Sequence, residues 1–376
     1  MGVSVFPAAS TSTSIPGAAN KPPKFTLSAT YDISATSNMN TIGDGTGTAM
    51  TYRRTDGCIY FTGSNNTNLW KFNTSTNSAS YVSNTLSWSG TKDIVAAYDG
   101  TLYASFSANG NASIETPQYS TDAGANWTYL TSATSGQYRG FMRVIDSGAI
   151  GNVTGNIIYL MPGSTNGGEN QSWWLGTTRT GTCSAQATGV NVVLTSGGRA
   201  TFPLRDGDDM PSGPQSIWLG NTTATSATTF EVNRNGSGKI ALRQATVTIS
   251  NTGDTTRTLR TIVTPYQNSY TYSSALTAYI EPIYDIGKPT TIDSRWILGA
   301  YNGNPNLLLV IDATNGEPAG GVSLPNYNVT DSWSNGSYTA NPVYVSATKK
   351  LYVLQANSTS NTSNVSKMHV YDVTTY

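Results

Sequence analysis

The sequence predicts an all-β chain built from repeated units of four short antiparallel strands, and three observations predict it. Helical periodicity is missing: no window places apolar residues at i, i+3, i+4 and i+7 without Gly, Pro or a β-branched run interrupting it. Short stretches rich in Val, Ile, Tyr, Thr and Trp stand in its place. Between them lie the turn dipeptides Asp56-Gly57, Asp99-Gly100, Asn109-Gly110, Asn235-Gly236, Asn302-Gly303, Asn315-Gly316 and Asn335-Gly336, whose residues tolerate the positive φ angles of tight hairpins.

Taken in chain order, the first unit reads as Met50 to Arg54, Cys58 to Gly63, Leu69 to Asn73 and Ala79 to Val82. The second reads as Asp93 to Tyr98, Thr101 to Phe106, Gln118 to Thr121 and Trp127 to Leu130. The third reads as Arg139 to Ile145, Asn156 to Met161, Ser172 to Thr177 and Cys183 to Thr188. Later units centre on Ser216 to Leu219 with Thr229 to Asn233, and on Arg295 to Ala300 with Leu307 to Asp312. The last has Pro342 to Ser346, Lys350 to Gln355 and Lys367 to Val373, and the segment Thr246 to Asp293 fits the repeat worst.

A unit of about 45 to 65 residues with four short strands has the size of a β-propeller blade, and about six blades fit, within a range of five to seven. Leu69–Asn73, Leu308–Asp312 and Met368–Asp372 each end an apolar run on Asn or Asp; the first two lead into short polar turns, as a third strand turning into a fourth would. Phe25 to Ser34 is β-rich and can lie beside the last strand, closing the ring and hiding its edge. The expected division is therefore an extended N-terminal docking arm, residues 1–24, followed by a propeller domain, residues 25–376.

The sharpest motif falls on a third-to-fourth strand turn. Ser120-Thr121-Asp122-Ala123-Gly124-Ala125-Asn126-Trp127 resembles the Asp-box, Ser-X-Asp-X-Gly-X-X-Trp, of the sialidase-like (BNR-repeat) propellers. The spacing has a physical basis. Asp122 can accept N–H groups across its own turn, Gly124 supplies the left-handed conformation, and Trp127 opens the last strand and packs between sheets. It occurs once, so the resemblance covers about one blade. For the catalytic members it implies three arginines on a substrate carboxylate, a Tyr–Glu pair and an acid/base Asp. This chain lacks the Arg-Ile-Pro motif: Arg53 and Arg54 follow Tyr52 with no Pro after them, and Glu281-Pro282 near Tyr279 and Tyr284 reads as an edge feature. No catalytic residue is assigned and no enzyme activity is expected.

Composition removes other classes. The 21 basic and 21 acidic residues cancel, and charge is 11% of the chain, against a usual value of about 25%. A nucleic-acid-binding surface lacks its electrostatic footprint, and no apolar run is long enough to span a membrane. Met1 to Lys24 lacks the basic start and unbroken apolar run of a signal peptide. Sequons such as Asn73, Asn126 and Asn235 arise by chance in a chain this rich in Asn, Ser and Thr. Cys58 and Cys183 form no metal pattern; they could pair, though two buried thiols is the plainer reading, and His369, the single histidine, reads as structural.

Two constellations are candidate binding sites. Arg205-Asp206-Gly207-Asp208-Asp209 gathers three carboxylates, Asp206, Asp208 and Asp209, that could ligate Ca²⁺; a solvated acidic turn is the plainer reading, and no other cofactor is expected. Trp173 and Trp174 alternate if borne on a strand, so one ring enters the core and the other could stack a sugar; packing alone is the plainer reading here too.

The opening Met1-Gly2-Val3-Ser4-Val5-Phe6-Pro7-Ala8 resembles the first residues of many tail-associated and fibre proteins of bacteriophages, whose N-terminal arms dock onto the particle. The resemblance implies a virion structural protein, a tail, fibre or capsid appendage assembled in the host cytoplasm. Its expected partners are other virion proteins, copies of itself as a homo-oligomer, and host surface glycan reached by propeller loops. The 22 tyrosines suit such wetted, polar interfaces. A secreted or cell-surface propeller that binds or hydrolyses glycan is the alternative, and a ring-forming tail nozzle subunit without a receptor role is the second.

Overall fold

Strands such as Cys58–Thr62 and Lys350–Asn357 are buried on both faces, which explains why the sequence there reads as short apolar runs rather than clean alternation. In the computed structural model, the described residues are 21–42, 49–63, 67–86, 91–97, 99–106, 118–129, 140–145, 157–162, 170–175, 201–203, 214–222, 226–234, 240–249, 255–262, 290–293, 295–300, 307–312, 317–325, 341–357 and 365–376, with backbone alone described from 140 to 262 and at scattered positions elsewhere. Apart from a one-turn 3-10 helix at Met39–Thr41, every regular element among them is a strand.

The strands fall into four-stranded antiparallel sheets, each a simple meander. One contains β2 (Met50–Arg53), β3 (Cys58–Thr62), β4 (Leu69–Asn73) and β5 (Ser78–Ser83). The next contains β6 (Thr91–Ala96), β7 (Leu102–Phe106), β8 (Gln118–Ser120) and β9 (Thr128–Tyr129). Then come β10 (Gly140–Ile145), β11 (Ile157–Pro162), β12 (Asn170–Leu175) and β13 (Thr201–Pro203), and β14 (Pro214–Thr222), β15 (Ser226–Arg234), β16 (Ile240–Ile249) and β17 (Thr255–Ile262). The fifth holds β18 (Thr290–Ile292), β19 (Trp296–Ala300), β20 (Leu307–Asp312) and β21 (Glu317–Ser323).

The remaining sheet is assembled from both ends of the chain. Its order is β1–β24–β23–β22, joining β1 (Lys24–Asp32) to β22 (Asn341–Val345), β23 (Lys350–Asn357) and β24 (Val365–Thr374). The register runs from Lys24 opposite Thr374 to Asp32 opposite Lys367, with a bulge between Leu27 and Ala29. The first strands of successive sheets touch one another in a circuit, β22 to β2 to β6 to β10 to β14 to β18 and back to β22. Meander sheets around a closed circuit of inner strands, with the N-terminal strand completing the last sheet, make this an all-β fold of the β-propeller type.

Apolar clusters fill the spaces between neighbouring sheets. Ile59, Phe61, Trp70 and Phe72 meet Tyr352, Leu354, Met368 and Val370 of the closing sheet. On that sheet's other face, Leu351, Val353, Tyr371 and Val373 meet Trp296, Leu298, Leu308 and Val310. Cys58, Tyr60 and Leu69 meet Ile94, Leu102 and Ala104 on the far side of the β2–β5 sheet. Alternate residues of β3 thus serve two different interfaces, as the two-residue strand period requires. Phe61 and Trp70 stack with ring centroids 6.0 Å apart, and Tyr81 meets the Trp70 ring edge-on at 6.2 Å.

Two sequence expectations are revised and a third is given its range. The strand beside β12 is β13, with Phe202 opposite Gln171, whereas Cys183 to Thr188 lies outside the described residues. Pro203 ends this strand, and edge strands are where a sheet tolerates proline. The poorly fitting segment from Thr246 begins within β16 and continues into β17, which complete the β14–β17 sheet. β21 is the fourth strand that the polar turn after Asp312 implies, though Pro318, Gly320 and Gly321 hide its range; its pairing with β20 is irregular between Val310 and Ile311.

Candidate functional site

The turn at Ser120–Trp127 joins β8 to β9, and its polar groups satisfy one another. Ser120 Oγ donates to Asp122 Oδ1 at 2.8 Å and accepts from the Gly124 N–H at 2.8 Å. The Asn126 N–H and side-chain amide donate to the two Asp122 oxygens at 2.9 and 2.7 Å, and these bonds hold the carboxyl below its usual range. Trp127 Nε1 donates to the Gly124 carbonyl at 3.2 Å while its ring packs on the cluster shared by two sheets.

The same turn docks on the preceding sheet. Ser83 Oγ donates to the Gly124 carbonyl at 2.6 Å and Thr85 Oγ1 to the Ala125 carbonyl at 3.0 Å. Gly124 has φ +86, and a methyl there would overlap Leu69 Cδ2. The motif read from the sequence is therefore a clamp between neighbouring sheets, with its carboxylate occupied.

A second clamp was not read from the sequence. Arg53, at the end of β2, donates from Nε to the Gly100 carbonyl at 2.6 Å and pairs with Asp56 at 2.7 Å. Tyr60 donates its hydroxyl to the same Asp56 oxygen at 2.7 Å, and burial, before that bond, drives the phenol upward. Asp56 Oδ1 also accepts the Cys58 N–H, as Asp99 Oδ1 accepts the Thr101 N–H. Each Asp-Gly pair thus shapes its own turn, while Arg53 links the two turns across sheets. Cys58 is a free, buried thiol pushed up chiefly by burial; Cys183 lies outside the described residues.

Arg295 and Asp312 make a third tie, between the β18–β19 turn and the end of β20. Arg295 Nε lies 3.2 Å from both Asp312 oxygens, a terminal nitrogen lies 2.6 Å from Oδ2, and the guanidinium covers the Trp296 ring at 4.6 Å. The signal was present in the apolar run ending at Asp312, but the partner follows only from the register that sets Trp296 opposite Asp312.

These contacts define two faces. Connections between first and second strands, and between third and fourth, share one face, where Arg53 reaches Gly100 and Val373 N–H donates to the Lys349 carbonyl. Several are short, such as 54–57, 74–77, 293–295 and 346–349, while 146–156 and 176–200 are longer. The sheet-to-sheet connections after β1, β5, β9, β13, β17 and β21 leave from the opposite strand ends, on the other face. β1 begins at Lys24 on the short-turn face, where Lys21 Nζ lies 5.5 Å from the Tyr376 ring centroid.

Of the other candidates, Trp173 and Trp174 lie on β12, opposite Tyr159 and Ile158. Asp206, Asp208 and Asp209 belong to the connection from β13 to β14 and lie outside the described residues, as do residues 1–20 of the arm. Among the described residues no group of His, Cys, Asp and Glu is arranged to hold a metal ion.

No protein-family model matches this chain, and no curated protein matches it in sequence. Solved structures resemble it in fold. Regucalcin from Agrobacterium tumefaciens, titled a calcium-binding protein, is 10% identical over 86% of this chain and 90% of its own, with a TM-score of 0.48. The Dos1 propeller is 10% identical over 93% and 95%, with a TM-score of 0.44. A luciferin-regenerating enzyme is 12% identical over 94% and 95%, with a TM-score of 0.46. Likenesses this distant carry no argument about activity or ligand.

Proposed function

We propose that this chain is a non-enzymatic, six-bladed β-propeller of the Asp-box type and an appendage of a bacteriophage particle. Residues 1–24 dock it to other virion proteins, and the face bearing the long sheet-to-sheet connections is presented outward to host surface glycan. The observation that carries this reading is the placement of Lys24 on the short-turn face. An arm leaving from that face can be fixed to a particle while the sheet-to-sheet connections that leave from the opposite face stay accessible.

The opening Met1-Gly2-Val3-Ser4-Val5-Phe6-Pro7-Ala8 supports the particle context by its resemblance to phage tail and fibre arms. The described polar clusters support a non-catalytic role, because Asp56, Asp122 and Asp312 are each committed to clamps between or within sheets. Trp173 and Trp174 are the proposed sugar-stacking residues and Asp206, Asp208 and Asp209 the proposed Ca²⁺ ligands. The chain acts in the virion, as a homo-oligomer, after assembly in the host cytoplasm.

Mass spectrometry and cryo-electron microscopy of the native source test this directly. Density at a tail, fibre or capsid vertex, with residues 1–24 against a neighbouring virion protein, is the expected result. Finding the chain free or on a cell envelope would replace the reading with a cellular glycan-directed propeller, to be pursued by glycan arrays and hydrolase assays.

A further inference from the structure

The outer edges of the sheets are not alike. An outermost strand has a row of N–H and C=O groups that its own sheet leaves unpaired, and proteins guard such edges with short strands, bulges, proline or charge. β1 is interrupted by a bulge at Ser28 and carries Lys24 and Asp32 at its ends. β5 bulges at Val82, between the partners of Leu69 and Trp70. β9 has two residues, and β13 has three and ends on Pro203. β21 bulges at Ala319 and contains Pro318.

β17 has none of these devices. Its eight residues, Thr255–Ile262, include no Pro, Gly or Lys, and they pair with β16 in unbroken register from Ile249 opposite Thr255 to Leu242 opposite Ile262. β15 and β16 also pair without a bulge, so the sheet reaches this edge undistorted. β17 ends the strand order of its sheet, and among the described residues no strand pairs with its outer edge. Arg257 and Arg260 are its only charges.

The spacing of these two arginines decides what the edge accepts. Successive residues alternate between faces, so Arg257 belongs to one face of the sheet and Arg260 to the other. When two copies of one strand pair antiparallel about a two-fold axis, opposed residues share a face, so the axis lies level with a residue and not between two. The registers of greatest overlap put Thr258 or Leu259 at that level. With Thr258 there, Arg257 stands opposite Leu259 of the second copy and Arg260 opposite Thr256. With Leu259 there, Arg257 stands opposite Thr261 and Arg260 opposite Thr258. Neither register sets arginine directly against arginine, the arrangement that would destabilise the pairing; Thr, Leu and Ile fill the remaining positions and suit cross-strand pairs.

We propose that β17 is a self-docking edge: Thr255–Ile262 of one copy pairs antiparallel with the same segment of a second, joining two β14–β17 sheets into one across a two-fold axis. Such a contact closes after two copies, so it covers both unguarded edges and leaves none for further growth. That favours a second copy over a strand from another protein, which would have to bring an open edge of its own. The proposal rests on the homo-oligomer of the reading above and supplies its interface.

Sedimentation equilibrium and hydrogen–deuterium exchange of the full chain over a dilution series test it. The expected result is a mass of two chains that falls to one on dilution. Exchange in 255–262 should quicken in step, while the outer strands 78–83 and 317–323 stay unchanged. Thr258→Lys/Leu259→Lys sets like charges opposite each other in either register and should abolish the dimer. Single cysteines decide the matter where that variant fails to fold. At one of Thr258→Cys or Leu259→Cys, oxidation should link two copies through the introduced residue, identified by peptide mapping, whereas Ser80→Cys, exposed on β5, should give no link. A single-chain mass at every concentration, exchange in 255–262 indifferent to dilution, a folded lysine variant that still dimerises, or no link at either cysteine would overturn the proposal. None of these readouts involves residues 1–24 or a particle, so this interface and the virion reading fail separately.

Discussion

Gly124 concentrates three demands in one residue. Its backbone lies in the left-handed region, its carbonyl accepts hydrogen bonds from Ser83 and Trp127, and its missing side chain leaves room for Leu69 of the neighbouring sheet. Gly124→Ala should therefore cost more than a loop substitution, about 2 kcal/mol or more from the φ angle and overlap together, read as a lowered urea midpoint at unchanged slope. Asp122 works through its charge and is largely exposed. Its carboxyl pKa is lowered by the Asn126 and Ser120 bonds, so its contribution is complete above the ordinary carboxylate value and is lost as pH falls through the native one. Asp122→Asn should lower the midpoint at pH 7, and the gap to the parent should narrow towards pH 3. A gap that stays constant across that range would mean that packing, and not the carboxylate, holds the turn.

At the scale of the element, an inner strand has an edge on the central circuit with N–H groups no sheet partner can take. Two of these are met by threonines of the preceding sheet: Thr51 Oγ1 accepts the Ala96 N–H at 3.0 Å, and Thr290 Oγ1 accepts the Tyr344 N–H at 3.2 Å. The hydroxyl is what matters, so Thr51→Val keeps the shape and should cost about 1 kcal/mol. Exchange should quicken at the Ala96 amide, and equal protection in the variant would show the bond to be dispensable. β4 is legible to the residue because Leu69, Trp70 and Phe72 are all buried and Asn73 stops the run by accepting the N–H groups of Ser75 and Thr76. β16 and β17 escape notice because Arg243-Gln244 interrupts the apolar residues of β16, and β17 sets Arg257 and Arg260 among threonines with only Leu259 and Ile262 apolar. The site divides the same way. The Ser120–Trp127 clamp is local and readable, whereas the tie from Arg53 to Gly100 exists only once two sheets are side by side.

For the whole molecule the decisive contact is the one that unites the chain's two ends. Without β1, the closing sheet would expose β24 along its full edge, from Val365 to Thr374, with alternate apolar residues ready to pair with another chain. Residues 1–20, by contrast, precede β1 in the chain, and the described ladder opens with Lys24 opposite Thr374. Two truncations separate these roles. Removal of residues 1–20 should leave the melting temperature and the oligomeric state of the body unchanged, while any docking that depends on the arm is lost. Removal through Asp32 should lower the melting temperature by several degrees and promote self-association through the bared strand, visible by light scattering. A synthetic peptide spanning Lys24 to Asp32 should reverse that association by occupying the vacant edge. If the shorter truncation destabilised the body as much as the longer one, the closure would have to extend beyond β1, and β1 would not by itself be the element that holds the ring shut.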